Sequence, residues 1–408
     1  MRIILDVQGA QTESRFRGIG RYALSLAKAI VRNRGEHEII IALNGLFPET
    51  VEPIRTAFNE LLPQENIRVW HAPGPVRECE RSNGWRRYIA ERIREAFLVK
   101  LDPDIVHVAN LFEGYIDDAV TSIGAFTSRV PTVVTLHDLI PFLYSNLLLD
   151  PYPRYKRHYL RKLEYLKRAN GLLVVSKSSA QEAMDVLGFK ESLLTNTSEA
   201  CDPMFKRIDI DSQVKSRLLR RLNLNRHFVM YCSGVDYTKN IPRLLQAYSE
   251  LNSDVRKEHQ LLMAGKISKE KIKELTAIAL SAGLRPDELV FSGYVSDEEL
   301  IQLYNLCKLF VIPSLHEGFG LPALEAMSCG APVIGANTTS LPEVIGWPDA
   351  LFDPCDVGSI SQKITNALTN ESFRNELVLH GLEQAKKFSQ DESARRAIMF
   401  FEKVNASA

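Results

Sequence analysis

Short apolar runs rich in Val, Ile and Leu alternate along the chain with longer stretches in which apolar residues recur every three to four positions. The short runs predict strands at 2–7, 38–43, 67–71, 104–108, 132–136 and 171–175 in the first half. In the second half they predict strands at 228–233, 260–264, 289–293, 309–313 and 332–335. Most of these runs are continuous rather than alternating, as in IIIAL at 39–43 and LFVIP at 309–313. A strand covered by helices on both faces reads that way, because neither face meets water. The longer stretches predict helices at 22–32, 84–100, 155–169, 241–251, 269–282 and 297–306. Strand and helix therefore alternate through two successive arrays. The expected architecture is α/β: two doubly wound, Rossmann-like domains on parallel sheets, facing each other across a cleft.

A chain of 408 residues also exceeds one ordinary core. The boundary is expected in LTNTSEACDPMFKRID, residues 194–209, which is polar, carries Pro203, and precedes a basic helical pattern and a new strand. That gives a first domain at 1–200 and a second at 201–388. The closing stretch FSQDESARRAIMFFEKV reads as an amphipathic helix of about 389–408 that packs back on the first domain.

Composition narrows the class. Lys+Arg and Asp+Glu both number 50, so no global field favours nucleic acid as a partner. Apolar residues make up 45% and charged residues 25%, as in soluble globular proteins. No run of about 18 apolar residues occurs, and MRIILDVQGAQ reaches Asp6 too early for a secretory leader. The six cysteines are scattered with no C-x-x-C pair, and the nine histidines show no H-E-x-x-H spacing. Neither a disulfide framework nor a protein-bound metal is expected, and reduced thiols fit a cytoplasmic protein.

In open parallel sheets ligands bind beyond the carboxyl ends of the strands. Four post-strand loops there carry candidate chemistry. In DVQGAQTESRFRGIGRYALSLAKAI, Gly18 and Gly20 occupy the loop and a helix starts near Arg21. Glycines there let a backbone approach a ligand closely, and a helix N-terminus favours an anion. The stretch is not G-x-G-x-x-G and no acidic residue ends the next strand, which disfavours NAD. VVTLHDLIP sets His137 and Asp138 at a strand end, although a lone histidine is more often structural. In YCSGVDYTKNIPRLLQAY, Lys239 sits between strand and helix, where a lysine meets phosphate as a mobile point charge. A surface lysine is the commoner case.

The fourth loop is SLHEGFGLPALEAMSCGAPVIGAN, from Ser314 to Asn337. Gly318 and Gly320 flank Phe319, and Pro322 suits the first helical position, so a helix is expected to begin there. Its free N–H groups, from about Phe319 to Leu321, make an anion site. Glu325 then falls in the first turn, where the helix dipole alone favours an acid. Glu317 has no such structural reason. A carboxylate in a glycine loop accepts hydrogen bonds from vicinal hydroxyls. Two carboxylates flanking an anion site suit a ligand with two polyol ends and phosphate between them, which is the shape of a nucleotide-sugar.

Glu317, Glu325 and the intervening GFGLPALEAM resemble the E-x7-E motif of retaining glycosyltransferases of family 4, which have the GT-B fold. The resemblance covers nearly the whole chain: the GIGRY loop, LHD, the KN pair, VFSGYVSDEELIQLYNLCKLFVIPS and TTSLPEVIGWPDALFDPCD. The beginning looks most like bacterial mannosyltransferases that build polymannose O-antigens, some of which carry this unit as one module of a longer chain. The resemblance implies a hexosyltransferase moving mannose from GDP-mannose, with retention, to a growing saccharide or a lipid-diphosphate-linked acceptor. It implies that Glu317 binds donor-sugar hydroxyls and Glu325 the ribose. The backbone of Gly318, Phe319, Gly320 and Leu321 would hold the diphosphate with Gly18, Gly20 and Lys239. His137 would lie near the sugar and departing phosphate with Asp138 beside it, and Tyr294 near the base.

No residue stands out as a nucleophile, and His137 and Asp138 stay open in that role. No cofactor or metal is expected, because lysine and helix dipoles serve the leaving group. The chain departs from the family at one point. Many relatives carry arginine six residues before the lysine, where this chain has Ser233, or directly before it, where this chain has Thr238. Arg21 is the first candidate for the missing cation. Two other readings remain open here: a non-catalytic GT-B scaffold module, and a nucleotide-sugar epimerase.

Finally, PYPRYKRHYLRKLEYLKR carries Arg154, Lys156, Arg157, Arg161, Lys162, Lys167 and Arg168 against Glu164 alone. NGWRRYIAERIREAF adds Trp85, Arg86 and Arg87. The bland reading is a solvated helix face. Together they predict peripheral contact with an anionic membrane surface, at the inner face of the plasma membrane.

Overall fold

The continuous apolar runs become buried parallel strands, in a computed structural model that describes residues 1–16, 18–127 and 130–407. The chain divides into two units, Met1–Ala200 with Ser389–Ala408, and Cys201–Phe388. In the first, β1 (Arg2–Asp6), β2 (Glu38–Asn44), β3 (Ile67–Trp70), β4 (Ile105–Val108), β5 (Thr132–Leu136), β6 (Gly171–Val174) and β7 (Leu194–Asn196) form one sheet. Its order is β3-β2-β1-β4-β5-β6-β7, with every pair parallel. In the second, β8 (His227–Cys232), β9 (His259–Ala264), β10 (Leu289–Phe291), β11 (Leu309–Ile312), β12 (Val333–Ala336) and β13 (Leu351–Phe352) form the other. Its order is β10-β9-β8-β11-β12-β13, again parallel.

Each sheet runs outward through two strands, then returns to the other side of its first. The reversal falls between β1 and β4 in one unit and between β8 and β11 in the other. At such a point the loops leaving two neighbouring strands part in opposite directions and open a crevice. The strands themselves are covered on both faces: Ile3, Ile4 and Leu5 of β1 and Val229, Met230 and Tyr231 of β8 are wholly buried. This is why their sequences run apolar without alternation.

Helices at Gly84–Lys100 and Asp297–Leu306 have the limits that their periodicity predicts. A capping box fixes the second: the Ser296 hydroxyl accepts from Glu299 N–H while the Glu299 carboxylate accepts from Ser296 N–H. The closing helix Gln390–Ala406 lies on the first unit, where Asp391 accepts from Arg32 at 3.0 Å and from Asn33 at 2.8 Å. Phe400 packs so near Gly171 that a Cβ there would come within 2.7 Å of its ring. Ala408, the last residue expected in that helix, lies outside the described residues.

Three expectations are corrected. Residues 194–196 are strand β7 rather than boundary loop, and β13 is a strand that the pattern does not announce. Both are edge strands of two or three residues, too short to show a period. Gly18 and Gly20 do not precede the first long helix but form its first turn, Gly18–Arg32. Gly20 is glycine because a Cβ would meet the Ser14 carbonyl oxygen at 2.3 Å and Arg15 N at 2.5 Å. Its close approach is therefore to the protein's own backbone.

Candidate functional site

In the second unit the loops after β8 and β11 flank the strand reversal and are tied together. Thr238 carbonyl accepts from Leu315 N–H at 2.7 Å. Asn240, in the left-handed region at φ +59°, donates its amide to Pro313 carbonyl at 3.0 Å and to Pro354 carbonyl at 2.7 Å. Asparagine tolerates that conformation better than most residues and here supplies both donors, a physical account of the Lys-Asn pair. So placed, Lys239 Nζ lies 2.8 Å from Glu317 Oε1, with side-chain exposures of 13% and 11%. Ser314 hydroxyl donates to the same oxygen at 2.7 Å. Both bonds use Oε1, which leaves Oε2 able to accept from a ligand hydroxyl.

The glycine loop is held from behind. Ser340 hydroxyl lies 3.0 Å from Glu317 carbonyl and 2.7 Å from Phe319 carbonyl, and Thr339 hydroxyl accepts from Glu317 N–H at 3.1 Å. Phe319 buries its ring edge-on against Phe388, with centroids 5.5 Å apart. Gly320 has φ +100°, and a Cβ there would also strike Leu341 at 2.7 Å, so only glycine serves. Gly320 is the N-cap of helix Leu321–Ser328, whose first turn no side chain caps. The helix thus starts one residue before Pro322, a correction to the sequence reading. Glu325 moves with it out of the first turn, so the helix dipole does not explain it. It is 7% exposed and accepts from Tyr304 hydroxyl at 3.1 Å. Burial pushes the Tyr304 phenol well above its ordinary value, so that hydroxyl keeps its proton to donate.

Ser233 lies one residue past β8, half-buried, and hydrogen-bonds Tyr231. Tyr294 stands 75% exposed beyond β10, the edge strand of the sheet, two strands from β8. Thr238 is buried, its hydroxyl 2.6 Å from Asp236, so that position is filled with local structure.

In the first unit His137 follows β5 and is 8% exposed. Its Nδ1 lies 3.2 Å from Glu199 Oε1, and its ring meets Tyr22 edge-on at 5.4 Å. Tyr22 hydroxyl lies 3.2 Å from Thr197 Oγ1, which fixes that wall. The imidazole is therefore oriented with Nε2 uncommitted, and Nε2 has no hydrogen-bond partner among the described residues. Asp138 accepts from Ile140 N–H at 2.9 Å, which begins the short helix Ile140–Leu143. Arg21 is half-buried on the same helical turn as Gly20, and Gly18 is exposed. Glu199 is a residue that sequence reasoning passed over, because it sits in what read as boundary loop. The signal was the β-rich LLT just before it.

The basic stretches are corrected most. Lys162 is 2% exposed and donates to Thr121 carbonyl and hydroxyl. Burial, then Arg161, pull its pKa down to about 7. Arg161 reaches Glu78 at 2.5 Å and Glu91 at 2.6 Å. Burial pushes the Glu78 carboxyl up, but His158, Arg161 and Arg87 outweigh it and hold it at about 2. Lys156 pairs with Asp150, and Lys167 with Glu164. Arg154 and Arg168 donate to backbone carbonyls, while Arg157 is exposed. Glu78 and Glu91 come from distant segments, so the local count of cations overstated the surface charge. The start of helix Gly84–Lys100 exposes apolar side chains: Trp85 at 59%, Tyr88 at 57% and Ile89 at 40%. Among the described residues no helix is long and apolar enough to cross a membrane.

Comparison with known proteins follows the same division. Residues 16–195 match the model described as Glycosyltransferase Family 4, and residues 217–384 that of Glycosyl transferases group 1. The chain is 39% identical over its whole length to the serotype-specific mannosyltransferase WbdA of Escherichia coli, but covers 49% of that protein. It is 34% identical to the O-antigen chain mannosyltransferase B of Escherichia coli, over 65% of this chain and 68% of the relative. The chain thus spans about half the length of the WbdA relatives that it matches. Sucrose-phosphate synthase of Thermosynechococcus elongatus shares the fold over 100% of both chains, with TM-score 0.72 at 17% identity. Anabaena HepE, crystallised with UDP and glucose, covers 99% of this chain with TM-score 0.67 at 17% identity.

Proposed function

The chain belongs to the family 4, group 1 glycosyltransferases, and from that premise we propose that it is a retaining mannosyltransferase of O-antigen synthesis using GDP-mannose. Relatives named as a serotype-specific mannosyltransferase and as an O-antigen chain mannosyltransferase support the class of reaction. The observation that carries the reading is the Lys239–Glu317 pair at the β8–β11 reversal, beside a glycine loop and an uncapped helix start. In this reading Lys239 and the N–H groups of Gly318 to Leu321 hold the diphosphate. Glu317 holds hydroxyls of the donor sugar, and Glu325 with Tyr304 receives the ribose. Tyr294 lies toward the base.

The bond from the sugar's anomeric carbon to diphosphate oxygen breaks, and one to an acceptor hydroxyl forms on the same face. The acceptor proton passes to the departing diphosphate. The chain's contribution is fixed positive charge and N–H dipoles where negative charge develops. Such preorganised electrostatics lowers the barrier more than any other single effect in many enzymes. On the first unit Glu199 orients His137, the residue that the family resemblance puts near the sugar, and Arg21 is the candidate for the second cation. No metal takes part, so a chelator leaves the rate unchanged. The chain works as a module of a longer glycosyltransferase and touches the membrane peripherally from the cytoplasm.

A thermal-shift panel of GDP-, UDP- and dTDP-sugars tests the donor. GDP-mannose at about 100 times its Kd adds roughly 2.7 kcal/mol of stability. A panel in which another nucleotide stabilises more overturns the donor assignment. Donor turnover that needs no acceptor overturns transfer.

A further inference from the structure

A cavity of about 260 Å³ in the first unit is walled by the sheet and by the end of helix Gly84–Lys100. Val106 and Val108 leave β4 on one face, and Thr132 of β5 stands beside Val106 in the ladder. Leu98 and Val99 come from the last turn of the helix, and Ile123 and Val130 from the segment between β4 and β5. These side chains are short or branched, so sheet and helix do not close on each other. The apolar lining keeps accessible surface: Leu98, Val106 and Ile123 are 4%, 3% and 7% exposed, and Val99 and Val130 are half-buried. An aliphatic cavity of roughly 150 Å³ takes benzene, so this one holds a longer apolar group. Its exposed lining residues are Arg168 and Asn170, and Asn170 directly precedes β6. The mouth therefore lies at the amino ends of β5 and β6. The loops that carry His137 and Asp138 leave the carboxyl ends, so an occupant here is remote from sugar transfer.

The charges deep in the wall are spent on the protein. Arg94 donates from Nε to Asp6 at 2.7 Å and from Nη1 to Ser122 carbonyl at 3.0 Å. Glu95 accepts from Ser122 hydroxyl at 2.6 Å, Ala125 N–H at 3.0 Å and Phe126 N–H at 2.6 Å, which holds that segment as a wall. The groups at the mouth are different. Arg168 uses Nη1 on the carbonyls of Ile123 and Gly124, at 3.2 and 3.4 Å. Its Nε and Nη2 have no hydrogen-bond partner among the described residues. Asn170 accepts from Thr132 N–H through Oδ1 at 2.9 Å, and its Nδ2 is likewise uncommitted there. An exposed guanidinium and an amide donor thus stand over an aliphatic interior. A carboxylate or phosphate oxygen suits those donors, and a chain of methylenes suits what lies beneath them.

We propose that this cavity binds an anionic amphiphile with a single aliphatic chain, the chain lying against Leu98, Val106 and Ile123 and the head on Arg168 and Asn170. The site stands apart from the glycosyltransferase reading, because neither donor nor acceptor enters it.

The full chain is titrated by calorimetry with hexanoate, octanoate and decanoate, each below its micelle concentration and with no sugar present. Decanoate binds at a single site. Affinity rises about fourfold for each methylene that enters the cavity and levels off once it is full. Decyl phosphate beside decanoate names the head, as the tighter of the two. Decyltrimethylammonium, with the same chain and a cationic head, binds at least about tenfold more weakly. Arg168→Ala weakens decanoate roughly three- to tenfold and leaves decanol unchanged, a split that lost folding would not produce. Val99→Trp and Val130→Trp, at two half-buried positions of the lining, remove binding of both. Thermal melts show which of these two variants folds, and one folded variant suffices. No binding to wild type, equal or tighter binding of the cation, or unchanged decanoate affinity in Arg168→Ala or in a folded tryptophan variant overturns the proposal. GDP-mannose binding in the same preparations reports on the enzyme reading separately, and its loss leaves the decanoate result standing.

Discussion

Lys239 Nζ and Glu317 Oε1 stand 2.8 Å apart although 78 residues separate them, each side chain nearly nine-tenths buried. The two charges that the reading gives to opposite ends of one transfer neutralise each other in the ligand-free protein. On that reading, a diphosphate that takes the lysine frees the carboxylate for a sugar hydroxyl, which would couple the two halves of the proposed donor site.

Lys239 is the first place to test this. Removing one preorganised charge-stabilising donor costs about 2.7–4 kcal/mol, roughly 10²–10³ in kcat. With Ser233 and Thr238 at the positions where the family resemblance implies an arginine, Lys239→Ala falls at or beyond that range. It also loses stability, toward the low end of about 3–5 kcal/mol, because Glu317 is left buried without its partner. Ser233→Arg restores part of the loss or raises wild-type turnover. Steady-state rates at saturating acceptor check this, and activity within about threefold of wild type defeats the diphosphate role.

Glu317 and Glu325 should separate kinetically. Glu317→Ala mainly lowers turnover, since its proposed contact is with the sugar, whose geometry changes in the transition state. Glu325→Ala mainly weakens GDP binding, since ribose is held equally in ground and transition states. Glu325→Ala also removes the carboxylate acceptor of Tyr304 hydroxyl and leaves it Cys232, at a stability loss of about 1 kcal/mol. Calorimetric GDP affinities decide the matter: equal losses in both variants refute the division of roles.

Glu113 makes stability depend on pH. Burial, with a contribution from Asp117, raises its pKa from 4.5 to about 7. Between those values the folded chain binds more protons than the unfolded one, so stability falls as pH rises through that window. Glu113→Gln keeps the acceptor for Ser14 and Asn110 but cannot ionise. It should match wild type at pH 4 and exceed it at pH 8 by up to about 3 kcal/mol. Thermal melts at both values check this, and parallel curves for the two proteins would exclude it.

Membrane contact, if electrostatic alone, now rests on few cations, because Lys162 and Arg161 are committed internally. Each remaining basic residue near an anionic surface is worth about 1 kcal/mol. Trp85→Ala with Tyr88→Ala should therefore reduce sedimentation with anionic liposomes more than Arg157→Ala does. Equal sedimentation with anionic and neutral liposomes removes the charge component, and none with either removes the contact.

Much of the molecule is legible in its residues taken in order. Continuous apolar runs announced eleven of the strands because burial on both faces is a local demand on every residue of a strand. The glycine loop and its two carboxylates were legible because they lie within a dozen residues of each other, on one loop and one helix. Tertiary structure decided the rest. β7 and β13 exist because neighbouring strands pair with them, not because of any period of their own. Gly20 is glycine because Ser14 and Arg15 pass behind it, and Lys162 is inside because Thr121 meets it there. Glu199 reaches His137 only when loops from distant strands meet. Periodicity reports which face of an element is buried. Which partner a charge or hydroxyl finds depends on residues far along the chain, and no local pattern encodes that.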